Sequence, residues 1–174
     1  MAIKKILTEP DPFLRQKSKI VNKVDDSIRS LMDDMLETMY DAPGIGLAAI
    51  QIGVPKRVIV IDLARDGEDK QPMYFVNPEI ISSSKNDATY EEGCLSVPNQ
   101  FAEIDRPDRC HIKYLDYNGK EQLLKAEGLT ATCIQHEMDH LEGILFIDYL
   151  SKLKKNMIIK KLSKQKKSLE RIAF

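Results

Sequence analysis

The chain has 174 residues with 43% hydrophobic and 30% charged positions, the balance of an ordinary globular protein; this excludes disordered, fibrous and disulfide-stapled classes. At this length one domain with a real core is expected rather than two large ones, because a chain of ~150 residues buries roughly 70% of its unfolded surface. The net charge of -1 is a cancellation: residues 151–174 carry nine basic and one acidic side chain (+8), and residues 1–150 carry 17 basic and 26 acidic (-9). A basic end on an acidic body fits a partner-facing tail or a solvated lysine-rich helix, and both readings stay open.

In chain order, Asp11-Pro12 reads as a cap followed by a proline at the first helical position. After Asp25 and Asp26, apolar residues at Ile28, Leu31, Met32, Met35, Leu36 and Met39 recur at helical spacing, and Pro43 with Gly44 stops the helix by Ala42. The methionines are expected in the core. Arg57 to Asp62 reads as a strand. Met73 to Val76 and Glu79 to Ile81 read as two short strands separated by Asn77-Pro78. Alternation through Cys110, Ile112 and Tyr114 gives another strand, reversed at Asn118-Gly119 into Gln122 to Leu124. Gly128 to Leu141 returns to helical spacing and ends at Gly143. A last amphipathic segment places Leu150, Leu153, Met157, Ile158 and Leu162 on one side. The pattern predicts an α+β fold, with mainly antiparallel sheets packed around a central helix and further helices at the two ends.

Cys94, Cys110 and Cys133 make an odd count without a C-x-x-C pair, which fits a reducing compartment. No apolar run approaches the ~20 residues of a membrane span, and the start of the chain lacks a leader pattern; the expected location is cytoplasmic.

The decisive stretch is His136-Glu137-Met138-Asp139-His140, an H-E-x-x-H inside a predicted helix. Residues four apart share a helix face, so both imidazoles converge on one metal with Glu137 beside it. A catalytic metal needs a third ligand and an open position. Cys133 is a poor choice, because a helix rises about 10 Å between residues 133 and 140. Cys110 sits in an apolar strand pattern where thiols are usually inert. Cys94, after Gly93, approaches from a separate segment and is the better choice. A thiolate and two neutral imidazoles leave a divalent ion at a formal +1, so a strong base is needed, and Glu137 supplies it. The glycines of Gly44-Ile45-Gly46 allow a substrate backbone close approach, and Gln51 can donate its amide to a developing oxyanion.

Three motifs occur together and in order: G-I-G-L-A-A-I-Q from Gly44 to Gln51, E-G-C-L-S from Glu92 to Ser96, and Q-H-E-M-D-H from Gln135 to His140. With them the chain resembles the peptide deformylases, which remove the N-formyl group from new bacterial polypeptides. The resemblance implies that Cys94, His136 and His140 bind the metal, that Glu137 is the general acid/base, and that Gln51 and the backbone N–H of Leu95 form the oxyanion hole. It implies substrate pairing with the segments around Gly46 and before Cys94, touching Gly44, Ile45, Gly46, Glu92 and Gly93. It implies as well that a pocket of Ile45, Glu92, Leu129, Cys133 and His136 takes the methionine side chain. The divalent affinity order favours zinc at a Cys-His-His site. The resemblance instead implies Fe2+, one per chain, as the working metal, with Zn2+, Ni2+ or Co2+ occupying the site in purified protein. It also implies formylmethionyl nascent peptides as substrate, with no DNA or membrane partner, and a ribosome contact through the basic C-terminal helix. Residues 1–150 are then a single catalytic metallohydrolase domain, and 151–174 its helical extension.

Some relatives carry a basic residue at the position of Phe101 and aliphatic ones at those of Tyr90 and Thr132, which alters the shape and polarity expected of the pocket rim. Arg106 either pairs with Glu92 or stands at the surface, and His111 is expected to be structural. Two other functions compete. A zinc endopeptidase would need a third ligand downstream of the helix, and Glu142 follows too closely. A ribosome-associated protein with a structural metal would need a fourth ligand, and the sequence offers three.

Overall fold

A computed structural model describes residues 2–172, with side chains through residue 169. Helix α1 (Asp26–Asp41) is capped by the Asp25 carboxylate, which accepts the Ile28 N–H, and ends at Ala42 as its sequence requires. The Asp11 cap also forms, over a single 3-10 turn at Pro12–Arg15. Strands β1 (Gly46–Ala48), β2 (Val58–Ile61), β3 (Met73–Ser83), β6 (Arg109–Leu115) and β7 (Glu121–Glu127) make one antiparallel sheet in the order β1-β2-β3-β6-β7. Helix α2 (Gly128–Leu141) carries the H-E-x-x-H.

All four residues of β2 are buried, because the sheet is covered on both faces. Strand alternation sorts them: Val58 and Val60 meet the α1 stripe of Met32, Met35 and Met39, while Ile59 and Ile61 join Ala131, Ile134 and Leu141 of α2. The three methionines have no exposed surface, as expected. Each fully buried aliphatic or methionine side chain contributes about 1.5–3 kcal/mol, so this sandwich fixes where α2 lies.

Three features differ from the sequence expectation. First, β3 runs unbroken through Asn77-Pro78. The two residues oppose Tyr114 alone as a bulge, Asn77 takes a left-handed φ of 51°, and its side-chain amide pairs with Val21 N–H and C=O at 2.8 Å each. A breaker in the sequence is thus absorbed by side-chain bonds that copy a backbone pairing. Second, β4 (Asp87–Cys94) and β5 (Val97–Pro107) form a separate two-stranded ribbon with no counterpart in the sequence reading. Third, helix α3 (Lys152–Ile172) buries only part of the expected face: Leu150, Ile158 and Leu162 pack as predicted, and Leu153 and Met157 do not. Leu162 packs with Val97, Ile104 and Phe146, flanked by Ile158 and Ile159, whereas Leu153 and Met157 are 72% and 63% exposed. The stripe expected from spacing is covered only in part, because the surface beneath it is one two-stranded ribbon and one turn.

Candidate active site

The two helix-borne imidazoles meet the ribbon at the inner end of β4. The β4–β5 ladder pairs Glu92 with Ala102 and then resumes at Cys94 and Val97, so residues 98–101 bow outward opposite Gly93. This irregularity turns the Cys94 side chain toward α2. A Cβ on Gly93 would lie 2.6 Å from the Phe101 ring, so only glycine lets that ring rest on the strand.

The result is a compact donor set. Cys94 Sγ lies 3.3 Å from His140 Nε2, and ligand atoms of Cys94, His136 and His140 all lie within 4.8 Å of one another. Among the described residues this is the one cluster of three such groups. Cys133, although on the same helix, is not part of it; it is buried in the cleft wall, and burial pushes its thiol well above the usual range. Cys110 is likewise buried and its thiol is pushed up by burial, as its strand position suggested.

Glu137 points beside the set, its Oε1 4.0 Å from His136 Nε2 and its Oε2 buried without a hydrogen-bond partner among the described residues. Burial raises its carboxyl to about 7, although the His136 charge opposes this. Such a group holds and releases a proton near neutrality. A Cβ on Gly46 would come within 2.6 Å of Glu137 Oε1, so the glycine leaves the room that this carboxylate occupies.

Gln51, in the 3-10 turn Ala49–Ile52 after β1, is buried and oriented at both ends. Its Oε1 accepts the Ala48 N–H at 2.9 Å, and its Nε2 donates to Ser96 Oγ at 3.0 Å and faces Cys94 Sγ at 3.6 Å. The N-terminal segment ties these two loops together, with Leu7 N–H on Gln51 C=O and Glu9 N–H on Ser96 C=O.

His136 Nδ1 lies 2.8 Å from Glu92 Oε1, which fixes the ring with Nε2 toward the donor set. Burial disfavours charge on His136, but its bonds to Cys94 and Glu92 outweigh this and raise it; burial and the neighbouring His136 charge hold His140 well below its usual value. Glu92 is itself held by Arg106, which is 4% exposed and donates Nε at 2.7 Å and Nη2 at 3.0 Å. Burial would raise the Glu92 carboxyl, yet the bonds from His136 and Arg106 more than compensate and lower it. Of the two readings of Arg106, the pairing with Glu92 is the observed one, and a further bond to Asp139 Oδ2 at 2.8 Å was not anticipated. His111 remains in β6 opposite Lys125, away from the cleft.

A cleft of about 460 Å³ opens over these groups. Gly44, Ile45, Gly46, Gln51, Glu92, Gly93, Cys94, Leu95, Leu129, Cys133, His136 and Glu137 all line it, as do Tyr90, Phe101 and Thr132. His140 lies beneath, closed off from it. Sequence reasoning missed Pro98, Asn99 and Gln100, which reach the cleft only because β5 bows out there. The rim is apolar, with Phe101, Ile45 and Leu129 exposed. A soft sulfur and two imidazoles converging beside an unpartnered buried carboxylate suit a divalent transition metal.

A family model described as polypeptide deformylase matches residues 3–156. A peptide deformylase of Pelagibacter ubique (strain HTCC1062) is 73% identical over 168 residues, covering 95% of this chain and 96% of that protein. The crystal structure of peptide deformylase from Ehrlichia chaffeensis in complex with actinonin matches with a TM-score of 0.91 at 46% identity, over 95% of this chain and 98% of that one. A peptide deformylase structure from Legionella pneumophila matches with a TM-score of 0.89 at 48% identity, over 98% and 99% of the two chains.

Proposed function

The chain belongs to the peptide deformylase family, metal-dependent hydrolases that remove the formyl group from newly made polypeptides, and from that premise we propose which of its side chains carry the reaction. The observation that carries the reading is the convergence of Cys94, His136 and His140 beside the unpartnered Glu137 carboxylate. Cys94, His136 and His140 hold one divalent ion. Held there, the ion supplies Lewis acidity, making water more acidic and polarising a carbonyl oxygen.

Glu137 takes the proton of the attacking water and passes it to the leaving amine nitrogen, so that formate and a free N-terminus result. The Gln51 amide, held by Ala48 and Ser96, meets the oxyanion that develops on the formyl oxygen, together with the backbone N–H of Leu95. Backbone groups of Gly44 to Gly46 and of Glu92 and Gly93 pair with the peptide as an added strand. The methionine side chain enters between Ile45, Leu129 and the apolar Cys133 thiol, with Glu92 and His136 behind.

The working metal is Fe2+, with Zn2+, Ni2+ or Co2+ as alternatives in purified protein. Residues 1–150 are the catalytic domain, and 151–174 extend the same domain, a reading supported by the packing of Leu162 on Val97 and Phe146. No helix among the described residues is long and apolar enough to cross a membrane. The protein works in the cytoplasm, with the basic helix against the ribosome.

Release of formate from formyl-Met-Ala-Ser, with casein as the control substrate, tests the function. Iron-loaded protein kept free of oxygen should release formate, faster than zinc-loaded protein, and leave casein intact. Glu137→Ala should lose about 10²–10⁴-fold in rate. Retained deformylation in that variant would overturn the role of Glu137, and casein cleavage without formate release would overturn the function.

A further inference from the structure

We propose that Tyr149 is a positioning residue for the metal site, and that the turn Phe146–Tyr149 holds the His136 ring from two sides. This rests on the reading of His136 as a metal ligand. From His136 Nδ1 the chain of bonds runs to Glu92, whose two oxygens are both gripped by Arg106. The remaining Arg106 arm, Nη1, donates to Asp139 Oδ2 at 2.8 Å, and the Tyr149 hydroxyl donates to that same oxygen at 2.7 Å. The guanidinium carbon also lies 5.0 Å from the centre of the Tyr149 ring, so the phenol covers its outer side.

The other end of the turn reaches the same imidazole directly. Phe146, fully buried, stacks its ring 6.1 Å from that of His136 at 26°. One four-residue turn therefore sets an aromatic ring beside His136 through Phe146 and reaches its Nδ1 partner from Tyr149 by way of Asp139 and Arg106.

The exposure of Tyr149 separates this role from simple packing. Tyr149 is 52% exposed overall, so its bond to Asp139 competes with water and adds little to folding. What the bond does is choose one rotamer for Asp139, which sits on α2 between the two histidines. A fixed Asp139 oxygen fixes Arg106, and a two-pronged Arg106 fixes the plane of Glu92. Without the hydroxyl, Asp139 keeps its bond to Arg106 but gains rotational freedom, and that slack passes through Arg106 and Glu92 to the orientation of His136. Groups that touch a metal ligand commonly change metal affinity 10–100-fold when removed. Tyr149 acts three bonds further out, and its effect should be smaller.

Cobalt(II)-loaded Tyr149→Phe protein tests this by its visible d–d absorption and by the rate of cobalt loss to dipicolinate. The variant should shift the d–d bands and lose cobalt about threefold to tenfold faster than wild type. Its kcat should fall by a similar factor, with KM for formyl-Met-Ala-Ser unchanged. In an Asp139→Ala background, which removes the acceptor, the same substitution should add nothing. An unchanged spectrum and release rate, with or without a change in thermal midpoint, would overturn the proposal, as would an undiminished effect in the Asp139→Ala background. A wild type that takes up no cobalt would instead overturn the metal site itself, and the proposal with it.

Discussion

Arg106 and the lysines of α3 carry the same charge in opposite surroundings. Arg106 is buried between two carboxylates, Glu92 and Asp139, with every prong of its guanidinium engaged. The α3 lysines stand in water, and within the described residues only Lys155 has an ion pair, with Asp148 at 2.8 Å. Burial makes the first charge costly to leave alone and therefore structural. Solvation makes the others nearly free energetically, which leaves them available to a partner.

The largest effect is expected where the buried charge is removed. Arg106→Met leaves two carboxylates facing each other without a cation and should cost about 3–5 kcal/mol in urea unfolding. Arg106→Lys keeps the charge but cannot grip both Glu92 oxygens and reach Asp139, so it should recover only part of that loss. A stability loss under 1 kcal/mol for the methionine variant would put Arg106 in the same class as the α3 lysines and erase the contrast.

Asp148 lies between the two regimes, bonded to Arg15 at 2.6 Å and paired with Lys155. Burial would raise its carboxyl, but its bonds to Lys155 and Arg15 prevail and lower it. A carboxyl lowered on folding stabilises above its unfolded value of ~3.9, and that contribution is lost as pH falls through the folded value. Wild type should thus exceed Asp148→Asn by roughly 1 kcal/mol at pH 7, with the gap closing below about pH 4. A gap that widens on acidification would reverse the assignment.

The smallest stability effect belongs to Lys160 and Lys161. Changing both to Gln should alter unfolding free energy by no more than about 0.5 kcal/mol. It should nonetheless weaken ribosome binding and flatten its salt dependence. Neutralisation is a cleaner test than deleting residues 152–174, because deletion would also strip Leu162 and Ile158 from Val97 and Phe146. Unchanged ribosome affinity would leave the helix as a solvated surface only.

What the sequence made legible follows the same division between local and distant interactions. Helix α2 announces itself by spacing, and Cys94 could be chosen because the other two thiols were geometrically or chemically excluded. The β4–β5 ribbon was not legible. Its strand Asp87–Cys94 is polar on much of both faces, so period-2 alternation never develops. The Arg106 bonds to Glu92 and Asp139 span 14 and 33 residues, and no local pattern encodes them. Spacing gave Leu150, Ile158 and Leu162 of the α3 stripe correctly, but how much of the stripe is covered depends on the narrow surface beneath it, which spacing along one helix does not reveal. Asn77 misled for a related reason: a turn residue was recruited into a strand by its bonds to Val21, 56 positions earlier.

The central claim is that Cys94, His136 and His140 hold one metal ion. X-ray absorption on the zinc-loaded protein tests it directly. One sulfur at about 2.3 Å and two imidazole nitrogens at about 2.0–2.1 Å are predicted, with the sulfur lost in Cys94→Ser. A metal shell without sulfur, or a sulfur that persists in Cys94→Ser, would contradict the account.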